Sequence, residues 1–401
     1  METARGHLTY CTNIHPGESW EAVFDNVRSH VLAVKARLGV SDPFGVGLRL
    51  SAEAARRLRQ PGELERFRDF LADSGLYVFT LNGFPYGPFH GTSVKAAVYR
   101  PDWTDAERGR YTSDLAELLA ALLPSGVDGS ISTVPGGFKR DVQTRAQVES
   151  IVSALLERVL ELHAVRERSG KSITLALEPE PCCFLETTTE TLDFFERELL
   201  SRAARQRLAS GARVDVAQAE QILRRHLGVC LDTCHAAIEF EEADEALDRL
   251  LGAGLRIAKL QLSAGLRLPG PSVDSLEALR AYDEPVYLHQ VVARTASGEL
   301  LRFEDLPLAL DSPAARAADE WRVHFHVPLY RERLGAFSNT QAFLARILAR
   351  QREAPVTNEL EVETYTWDVL PPEQRTGSVD ASIARELSWV LERLAPRAPA
   401  P

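Results

Sequence analysis

Short apolar runs alternate with longer amphipathic segments along the whole chain. The short runs predict eight strands, which are His7–Asn13, Phe44–Leu50, Tyr77–Asn82, Gly129–Thr133, Ile173–Pro179, Val229–Thr233, Ile257–Ser263 and Leu360–Thr366. The segments between and after them have apolar residues at helical spacing and predict helices at Trp20–Leu38, Leu64–Ser74, Asp105–Leu123, Gln147–Arg168, Thr189–Arg207, Ala243–Leu251, Gln341–Gln351 and Ala381–Leu394. This alternation predicts right-handed βαβ units and a parallel sheet.

Eight such units in succession, with no linker rich in Pro, Gly or Ser between them, predict one (β/α)8 TIM barrel of the α/β class. We expect residues 1–394 to form this single domain and the proline-rich residues 395–401 to form a disordered tail. An open, doubly wound sheet is the alternative architecture. It is disfavoured because the first strand–helix turn, Asn13–Gly17, lacks the glycine-rich fingerprint that binds phosphate.

Two segments are longer than a minimal barrel requires. Residues 201–226 add a polar helical stretch, and residues 265–340 form an insertion between strands seven and eight. Within the second insertion, Val286–Ala293 and Glu299–Phe303 flank the sequence Thr-Ala-Ser-Gly, which predicts a hairpin. We expect this β-containing insertion to cover one mouth of the barrel.

The charge balance argues against polyanionic partners. The 401 residues include 46 Lys plus Arg and 57 Asp plus Glu, a formal net charge of −11, without a basic cluster. Nucleic acid and anionic membranes would be repelled, so we expect neither as a partner. We expect a cytoplasmic protein with free thiols and no direct membrane insertion, because the sequence has no secretory signal, no run of about 18 apolar residues and no paired cysteine spacing.

Polar side chains occupy the ends of the last four predicted strands. Functional groups of such barrels gather at the carboxyl ends of the strands, and side chains of a strand alternate between its two faces. The pattern therefore directs one polar set into the barrel and the leucines between its members toward the helices. This set is Glu178, Glu180, Asp232, Lys259, Gln261, Glu361 and Glu363.

Carboxylates that converge in one cavity repel each other unless a cation neutralises them. Glu178, Asp232 and Glu363 therefore predict a divalent metal site, with Mn²⁺ or Mg²⁺ favoured by oxygen ligands and Zn²⁺ possible. The alternative is a set of salt bridges inside the barrel, with Lys259 and Arg49 as the partners of the acids.

Three histidines are placed where they could join this site. His235 follows Asp232 at the end of the sixth strand. His324 and His326 lie two residues apart in the extended run Val323–Val327, so they share one face while the apolar residues share the other. We expect the imidazole face to point into the pocket.

Two levels of resemblance bear on these residues. Leu231–Glu239 resembles the Leu-Asp-Thr-x-His segment of sugar isomerases and epimerases with the xylose-isomerase-like barrel, and residues 176–179 and 361–365 resemble the fifth and eighth strands of that superfamily. More narrowly, the chain resembles the EboE family of metabolite traffic proteins nearly from end to end. The segments that carry this second resemblance are residues 7–20, 82–90, 321–329 and 361–367.

The superfamily resemblance implies roles for four strand-end residues. Glu178 and Glu363 match the two glutamates that both bind metal and exchange protons with the substrate. Asp232 matches a metal ligand, and His235 matches a contact to a substrate oxygen. The EboE resemblance implies a metabolite partner, together with other proteins of the same export pathway.

Strand seven departs from the superfamily pattern, because Gln261 stands where the epimerases have a metal-binding histidine. An amide oxygen can still ligate Mg²⁺ or Mn²⁺, but the affinity for Zn²⁺ should fall. His289 or His326 from the insertion could supply the missing imidazole. The candidate substrate-binding residues are His15, Arg49, Asn82, His90, His289 and His326.

Three functions follow, in decreasing order of support. The first is a metal-dependent isomerase or epimerase of a polyhydroxylated or keto small molecule, in which Glu178 and Glu363 act as base and acid while His235 and Lys259 hold or polarise substrate oxygens. The second is a barrel that binds and hands over a metabolite without turnover. The third, metal-dependent phosphodiester hydrolysis, is disfavoured by the net charge of −11.

Overall fold

Eight parallel strands form the barrel wall, and each begins within two residues of its predicted position. They are Gly6–Tyr10, Phe44–Arg49, Leu76–Asn82, Gly129–Thr133, Ile173–Leu177, Leu227–Asp232, Ile257–Leu262 and Glu359–Val362. The computed structural model describes residues 1–91, 93–375 and 377–396. Residues 397–401 of the expected tail therefore lie outside the described residues.

The barrel closes between its eighth and first strands and between its first and second strands by different means. The eighth strand pairs in parallel with the first, with Glu359 opposite His7. Strands one and two share the single bridge Cys11–Gly47. Beside this bridge, the Thr9 hydroxyl accepts from Gly47 N and donates to Gly45 O. Hydrogen bonds of the Thr9 side chain thus replace part of the backbone hydrogen bonding between strands one and two.

The outer layer is helical. Its helices are Trp20–Asn26, Leu32–Arg37, Ala52–Leu58, Glu63–Asp73, Ala106–Leu122, Arg145–Ser169, Thr188–Phe194, Arg202–Ala212, Val216–His226, Thr233–Ile238, Ala243–Gly252, Gln341–Glu353 and Val379–Leu394. Among the residues that the structure describes, no helix is long and apolar enough to cross a membrane.

One predicted helix is divided in the structure, and the short helices Ala52–Leu58 and Thr233–Ile238 were not predicted. The predicted helix Thr189–Arg207 is two helices, because the Ser201 hydroxyl accepts from Ala204 N and starts a new helix there. The short helix Ala52–Leu58 was not predicted, although Ser51 caps it in the same manner. In both places the local capping signal carries more information than the apolar spacing.

The insertion between strands seven and eight forms a second sheet of six antiparallel strands. In spatial order these are Leu300–Phe303, Val291–Arg294, Glu320–Val323, Leu266–Pro269, Phe337–Asn339 and Arg333–Leu334. The predicted hairpin exists, but its first strand begins at Val291 instead of Val286. The Glu284 carboxylate accepts from Val286 N and Tyr287 N, which holds the preceding segment in a turn.

This sheet lies at the carboxyl end of the barrel. Val327 N donates to Ala264 O just after strand seven, and Arg302 pairs with Glu239 at 2.7 Å after strand six. Lys95, in the segment that follows strand three, pairs with Asp305 at 2.7 Å. The insertion is therefore attached to loops from several strand ends.

At the opposite end of the barrel interior, Glu359 accepts a hydrogen bond of 2.5 Å from the Ser130 hydroxyl and is 3% exposed. Burial raises the pKa of Glu359 from 4.5 to about 8. A carboxyl whose pKa is higher in the folded state favours folding below its unfolded-state pKa, and this contribution is lost as the pH rises through about 8.

We expect the variant Glu359→Gln to be less sensitive to pH than the wild type. Because the glutamine stays neutral, its melting temperature should fall less between about pH 4.5 and pH 8. The measurement is the melting temperature against pH in a chelating buffer. Glu53→Gln, on the exposed face of a helix, is the control and should follow the wild type. Parallel curves for all three proteins would contradict the prediction.

Candidate metal centre and active site

A cavity opens at the carboxyl end of the barrel, beneath the insertion. Its aromatic side is formed by Phe84, Phe89, Tyr99, Tyr287 and Tyr365. Its polar side is formed by Asn13, Asn82, Glu178, Glu180, Gln261, His235, His324 and Glu363. Of the seven polar residues that the strand ends direct into the barrel, Glu178, Glu180, Gln261 and Glu363 line this cavity, whereas Asp232, Lys259 and Glu361 are not among its lining residues.

Three carboxylates from strand ends five, six and eight form a compact triad. One oxygen each of Glu178, Asp232 and Glu363 lies within 4.8 Å of the other two, and all three residues are buried. Burial, followed by the charge of Glu363, raises the pKa of Glu178 to about 8. Burial and then Asp232 raise the pKa of Glu363 to about 7. The triad is thus a site of concentrated negative potential that a cation would relieve.

The two oxygens of Asp232 have different surroundings. Its Oδ1 accepts from Cys234 N at 2.7 Å, from His235 N at 3.0 Å and from the Ser263 hydroxyl at 2.6 Å. Its Oδ2 is buried without a hydrogen-bond partner. A buried carboxylate oxygen is costly to leave unpaired. An oriented carboxylate with one free oxygen in an acidic triad fits a divalent metal ligand.

Gln261 reaches the triad with its amide nitrogen. Its side chain hydrogen-bonds to Glu363, and its amide oxygen accepts from the Cys230 thiol at 3.4 Å. The oxygen that would ligate a metal is therefore engaged elsewhere. The predicted metal role of Gln261 requires the amide to rotate.

Of the two inserted histidines considered for the missing imidazole, His326 faces the triad. Its Nδ1 donates to the main-chain oxygen of Glu363 at 3.0 Å, and one ring nitrogen lies within 4.8 Å of ligand atoms of Asp232 and His235. Burial lowers the pKa of His326 to about 4, so its ring is neutral at physiological pH. His289 is engaged at both nitrogens, by His324 O at 3.1 Å and Glu284 Oε1 at 2.9 Å.

We expect the variant His326→Asn to bind a divalent cation at least about tenfold more weakly, or roughly 1.4 kcal/mol. The asparagine amide can keep the donor to Glu363 O but lacks Nε2. The measurement is isothermal titration with Mn²⁺ and with Zn²⁺. The control is His226→Asn, because His226 also donates Nδ1 to a main-chain oxygen, that of Ile173, far from the cavity. Unchanged binding in His326→Asn would make this histidine structural only.

His235 lies in the first turn of the short helix Thr233–Ile238 after strand six and lines the cavity. Its Nδ1 donates to Pro179 O at 3.1 Å, and its Nε2 lies 3.1 Å from Nε2 of His324. Burial alone would lower the pKa of His235, but the surrounding carboxylates, led by Asp232 and Glu180, raise it to about 9. His235 is thus placed as predicted, beside the triad.

Lys259 lies below the cavity and does not line it. Its Nζ donates to Glu361 at 2.6 Å, to Asn82 Oδ1 at 3.0 Å and to the Ser132 hydroxyl at 3.2 Å. Burial alone would lower the pKa of Lys259, but the surrounding acidic groups, led by Glu361, together outweigh burial and raise it. Lys259 and Glu361 therefore form a buried salt bridge, the kind of contact that the alternative interpretation predicts. Lys259 contacts the cavity-lining residue Asn82 but does not line the cavity itself.

Of the other residues predicted to contact the substrate, some line the cavity and some do not. Asn82 lines the cavity and donates to both oxygens of Glu361 at 3.0 Å. Arg49 pairs with Glu18 at 2.7 Å, and its guanidinium also donates to Gly87 O. His90 lies 3.9 Å from the same Glu18. Neither Arg49 nor His90 is among the cavity-lining residues, so their substrate contacts stay predictions.

His15 ends the short turn Thr12–Ile14 that follows the first strand. Its Nε2 contacts the Tyr10 hydroxyl at 3.0 Å, and its ring stacks on His30 with centroids 4.1 Å apart. It is not a lining residue of the cavity, and its substrate contact also stays a prediction.

Three further residues of the cavity that could contribute to function were not predicted from the sequence. Asn13 donates to Glu363 Oε1 at 2.6 Å, and its position just after the first strand was a signal that the strand-end rule could have used. Tyr99 donates to Glu180 Oε1 at 2.5 Å. Tyr365 packs against His326 with centroids 4.7 Å apart. Tyr365 lies two residues after Glu363 in the predicted eighth strand, so the same alternation could have indicated it, whereas the sequence offers no comparable signal for Tyr99.

Comparison with known proteins shows that the fold of this chain is similar to the folds of solved structures. The sequence matches no protein-family model and no curated protein. Among solved structures, L-ribulose 3-epimerase is 14% identical, with 98% of this chain and 95% of that chain covered and a TM-score of 0.50. A xylose isomerase domain protein from Planctomyces limnophilus is 15% identical, with 90% of each chain covered and a TM-score of 0.48.

A third similar structure is that of IolI protein with a binding zinc atom, at 12% identity, 97% coverage of each chain and a TM-score of 0.46. The resemblance to EboE-type proteins is not confirmed by these comparisons. The likeness to the epimerase, together with the ring of parallel strands and its helical layer, identifies the fold. The chain has the α/β TIM-barrel fold of xylose-isomerase-like proteins.

Proposed function

We propose that this protein is a metal-dependent isomerase or epimerase of a small polyhydroxylated or keto metabolite. The observation that carries the proposal is the buried triad of Glu178, Asp232 and Glu363, in which Asp232 Oδ2 has no partner. The triad opens into a cavity at the end of the barrel where such enzymes place their chemistry.

The residues fit a divalent cation, with Mn²⁺ or Mg²⁺ favoured and Zn²⁺ possible. Glu178, Asp232 and Glu363 would hold it, with the imidazole of His326 in place of the strand-seven histidine and Gln261 as a further candidate. When bound, such an ion supplies Lewis-acid stabilisation of the negative charge that develops on substrate oxygens.

Glu178 and Glu363 would exchange the proton with the substrate carbon. They approach the cavity from strands five and eight, and burial raises the pKa values of both toward neutrality. Carboxyl groups with pKa values near the working pH are effective general acids and bases. His235 would hold a substrate oxygen, and Lys259 would position Asn82 instead of touching the substrate.

The test is exchange of substrate hydrogen with solvent deuterium. Purified protein with Mn²⁺ is incubated in D₂O with a panel of ketoses and keto polyols, and deuterium at carbon is measured by mass spectrometry. We expect incorporation into at least one compound, and a loss of at least about a hundredfold in Glu178→Gln and in Glu363→Gln. Glu53→Gln, on an outer helix, is the control. Bound metal without exchange in any compound would contradict the enzymatic proposal.

A second candidate is a barrel that binds and transfers a metabolite without turnover, in an EboE-type export pathway in the cytoplasm. The specific observation that favours it is Gln261, whose amide nitrogen faces the triad where the superfamily resemblance implies a ligating histidine. Other proteins of the pathway would then be partners. Binding of a compound from the panel without deuterium exchange would support this candidate.

Phosphodiester hydrolysis is the weakest proposal. Among the described residues that line the cavity there is no Lys or Arg, and a chain with a net charge of −11 would repel nucleic acid.

A further inference from the structure

Three arginines of the second sheet share a single carboxylate. Arg267 donates to both oxygens of Glu320, from Nε to Oε1 and from Nη2 to Oε2, at 2.9 Å each. Arg322 donates from Nε to Oε1 at 2.8 Å, and Arg294 donates from Nη2 to Oε2 at 3.2 Å. Glu320 is 4% exposed, so its carboxylate has little access to water. Each of its oxygens accepts from two guanidinium groups.

The charges of this arginine cluster do not balance. Three guanidinium groups surround one carboxylate, so two positive charges remain. Burial would raise the pKa of Glu320, but the hydrogen bonds from Arg267 and Arg322 lower it to about 2, so the carboxylate is ionised. Burial lowers the pKa of Arg322, Glu320 opposes this effect, and the charges of Arg267 and Arg294 lower it further. The arginines therefore repel each other, and one carboxylate neutralises them only in part.

Strand pairing puts these side chains on one face of the second sheet. In the antiparallel register, Arg322 lies opposite Arg267, and Arg294 lies opposite Glu320. Residues 320 and 322 are two apart on one strand and therefore share a face. Like charges directly opposite each other destabilise a sheet. The sheet thus keeps three cations together at a cost in stability that a further anion would relieve.

Phe240 contacts two of the guanidinium groups. The guanidinium carbon of Arg322 lies 3.9 Å from the centroid of its ring, and that of Arg294 lies 4.6 Å from it. Phe240 follows the helix Thr233–Ile238 in the left-handed region, with a φ of 59°, a position that glycine usually occupies. Cation–π contacts hold a guanidinium group without using its hydrogen-bond donors. The chain thus keeps an aromatic ring at a strained position where it supports the arginine cluster.

Each arginine of the cluster retains donors that no other group uses. Among the described residues, Nη1 of Arg267, Nη1 of Arg294 and Nη2 of Arg322 donate no hydrogen bond. The side chains of Arg267 and Arg294 are 39% and 43% exposed, so a ligand can reach them from solvent. Arg322 is 17% exposed and also donates to Ala237 O. It therefore forms the base of the cluster, and the other two arginines form its accessible side.

We propose that Arg267, Arg294 and Arg322 bind a phosphate group at the surface of the second sheet. Guanidinium groups present paired donors that match the oxygens of a phosphate. A phosphate dianion would also balance the two remaining positive charges. None of the three arginines is among the cavity-lining residues, so this site is separate from the triad and does not depend on the proposed function.

The ligand is a small molecule and not a polyanion. The cluster offers two uncompensated charges, while the chain as a whole has a net charge of −11, which opposes the approach of a long polyanion. Inorganic phosphate and the phosphate monoester of a small metabolite present the same oxygens to the arginines. Their relative affinities distinguish these two sources.

The experiment is isothermal titration of the full chain with sodium phosphate at about pH 8, where phosphate is mostly the dianion. Metal is first removed on a chelating resin, so that phosphate cannot bind through an ion at the triad, and sodium chloride keeps the ionic strength constant. We expect one phosphate per chain, bound at least about tenfold more weakly in Arg267→Gln and in Arg294→Gln. Arg346→Gln is the control, because Arg346 is 53% exposed and pairs with Asp244 on the outside of the barrel.

The variant Glu320→Gln distinguishes a binding site from a structural ion-pair cluster. Its amide keeps an oxygen acceptor for the arginines but carries no charge, so phosphate should bind at least about threefold more tightly. The melting temperature of each variant is measured beside the titration. Unchanged or weaker phosphate binding in a folded Glu320→Gln variant would show that the arginines only brace the sheet, and the site would be withdrawn.

Titrations with glycerol phosphate and with malonate identify the ligand. Tighter binding of glycerol phosphate than of inorganic phosphate would support a phosphorylated metabolite, and the reverse order would support free phosphate. Malonate that binds more tightly than both would indicate a dicarboxylate site and overturn the phosphate assignment. Absence of saturable phosphate binding, or equal binding in the wild type and both arginine variants, would overturn the site itself.

Discussion

Replacing Asp232 with Asn is expected to abolish cation binding at the carboxylate triad while the barrel stays folded. The asparagine oxygen can keep the three hydrogen bonds that Oδ1 accepts. The amide nitrogen replaces Oδ2, the oxygen without a partner, and cannot ligate a metal. We expect Mn²⁺ affinity to fall about a thousandfold, or roughly 4 kcal/mol, in isothermal titration, with little change in melting temperature.

The matched control is Asp102→Asn. Asp102 is also buried and accepts local hydrogen bonds from Thr104 N and Oγ1, but it is not a lining residue of the cavity. It should leave metal binding unchanged. A large loss of stability with unchanged metal content in Asp232→Asn would show that this acid is a structural hydrogen-bond acceptor, and the triad would lose its assigned role.

Replacing Lys259 with Met is expected to destabilise the fold strongly. Lys259 and Glu361 are both 0% exposed and lie 2.6 Å apart, so the variant leaves an unpaired carboxylate inside the barrel. Removing one partner of a buried ion pair costs about 3–5 kcal/mol. The measurement is the free energy of unfolding in urea, without added metal.

The double variant Lys259→Met with Glu361→Gln tests the cause. Since the glutamine carries no charge, it should recover a large part of the loss. Lys95→Met is the control: this lysine is 30% exposed in its pair with Asp305, and its loss should cost no more than about 1 kcal/mol. Equal losses for Lys259→Met and Lys95→Met would contradict the prediction.

The sequence by itself determined the barrel and the membership of the triad. Both follow from short-range regularities. Apolar runs of strand length recur between amphipathic helices, and the period-two alternation of a strand decides which side chains enter the barrel. Glu178, Asp232 and Glu363 meet because parallel strands end at the same edge, so no knowledge of loop geometry was needed to bring them together.

Only the tertiary structure decided what surrounds the triad. Asn13 and Glu363 are hydrogen-bonded across 350 positions, and His235 meets His324 only because the inserted sheet docks on the carboxyl end of the barrel. Tertiary packing also decided the partners of Lys259, which donates hydrogen bonds to Glu361 and to Asn82. Such contacts depend on how separate elements pack, and the alternation of residues along one strand contains no information about its partners across the barrel.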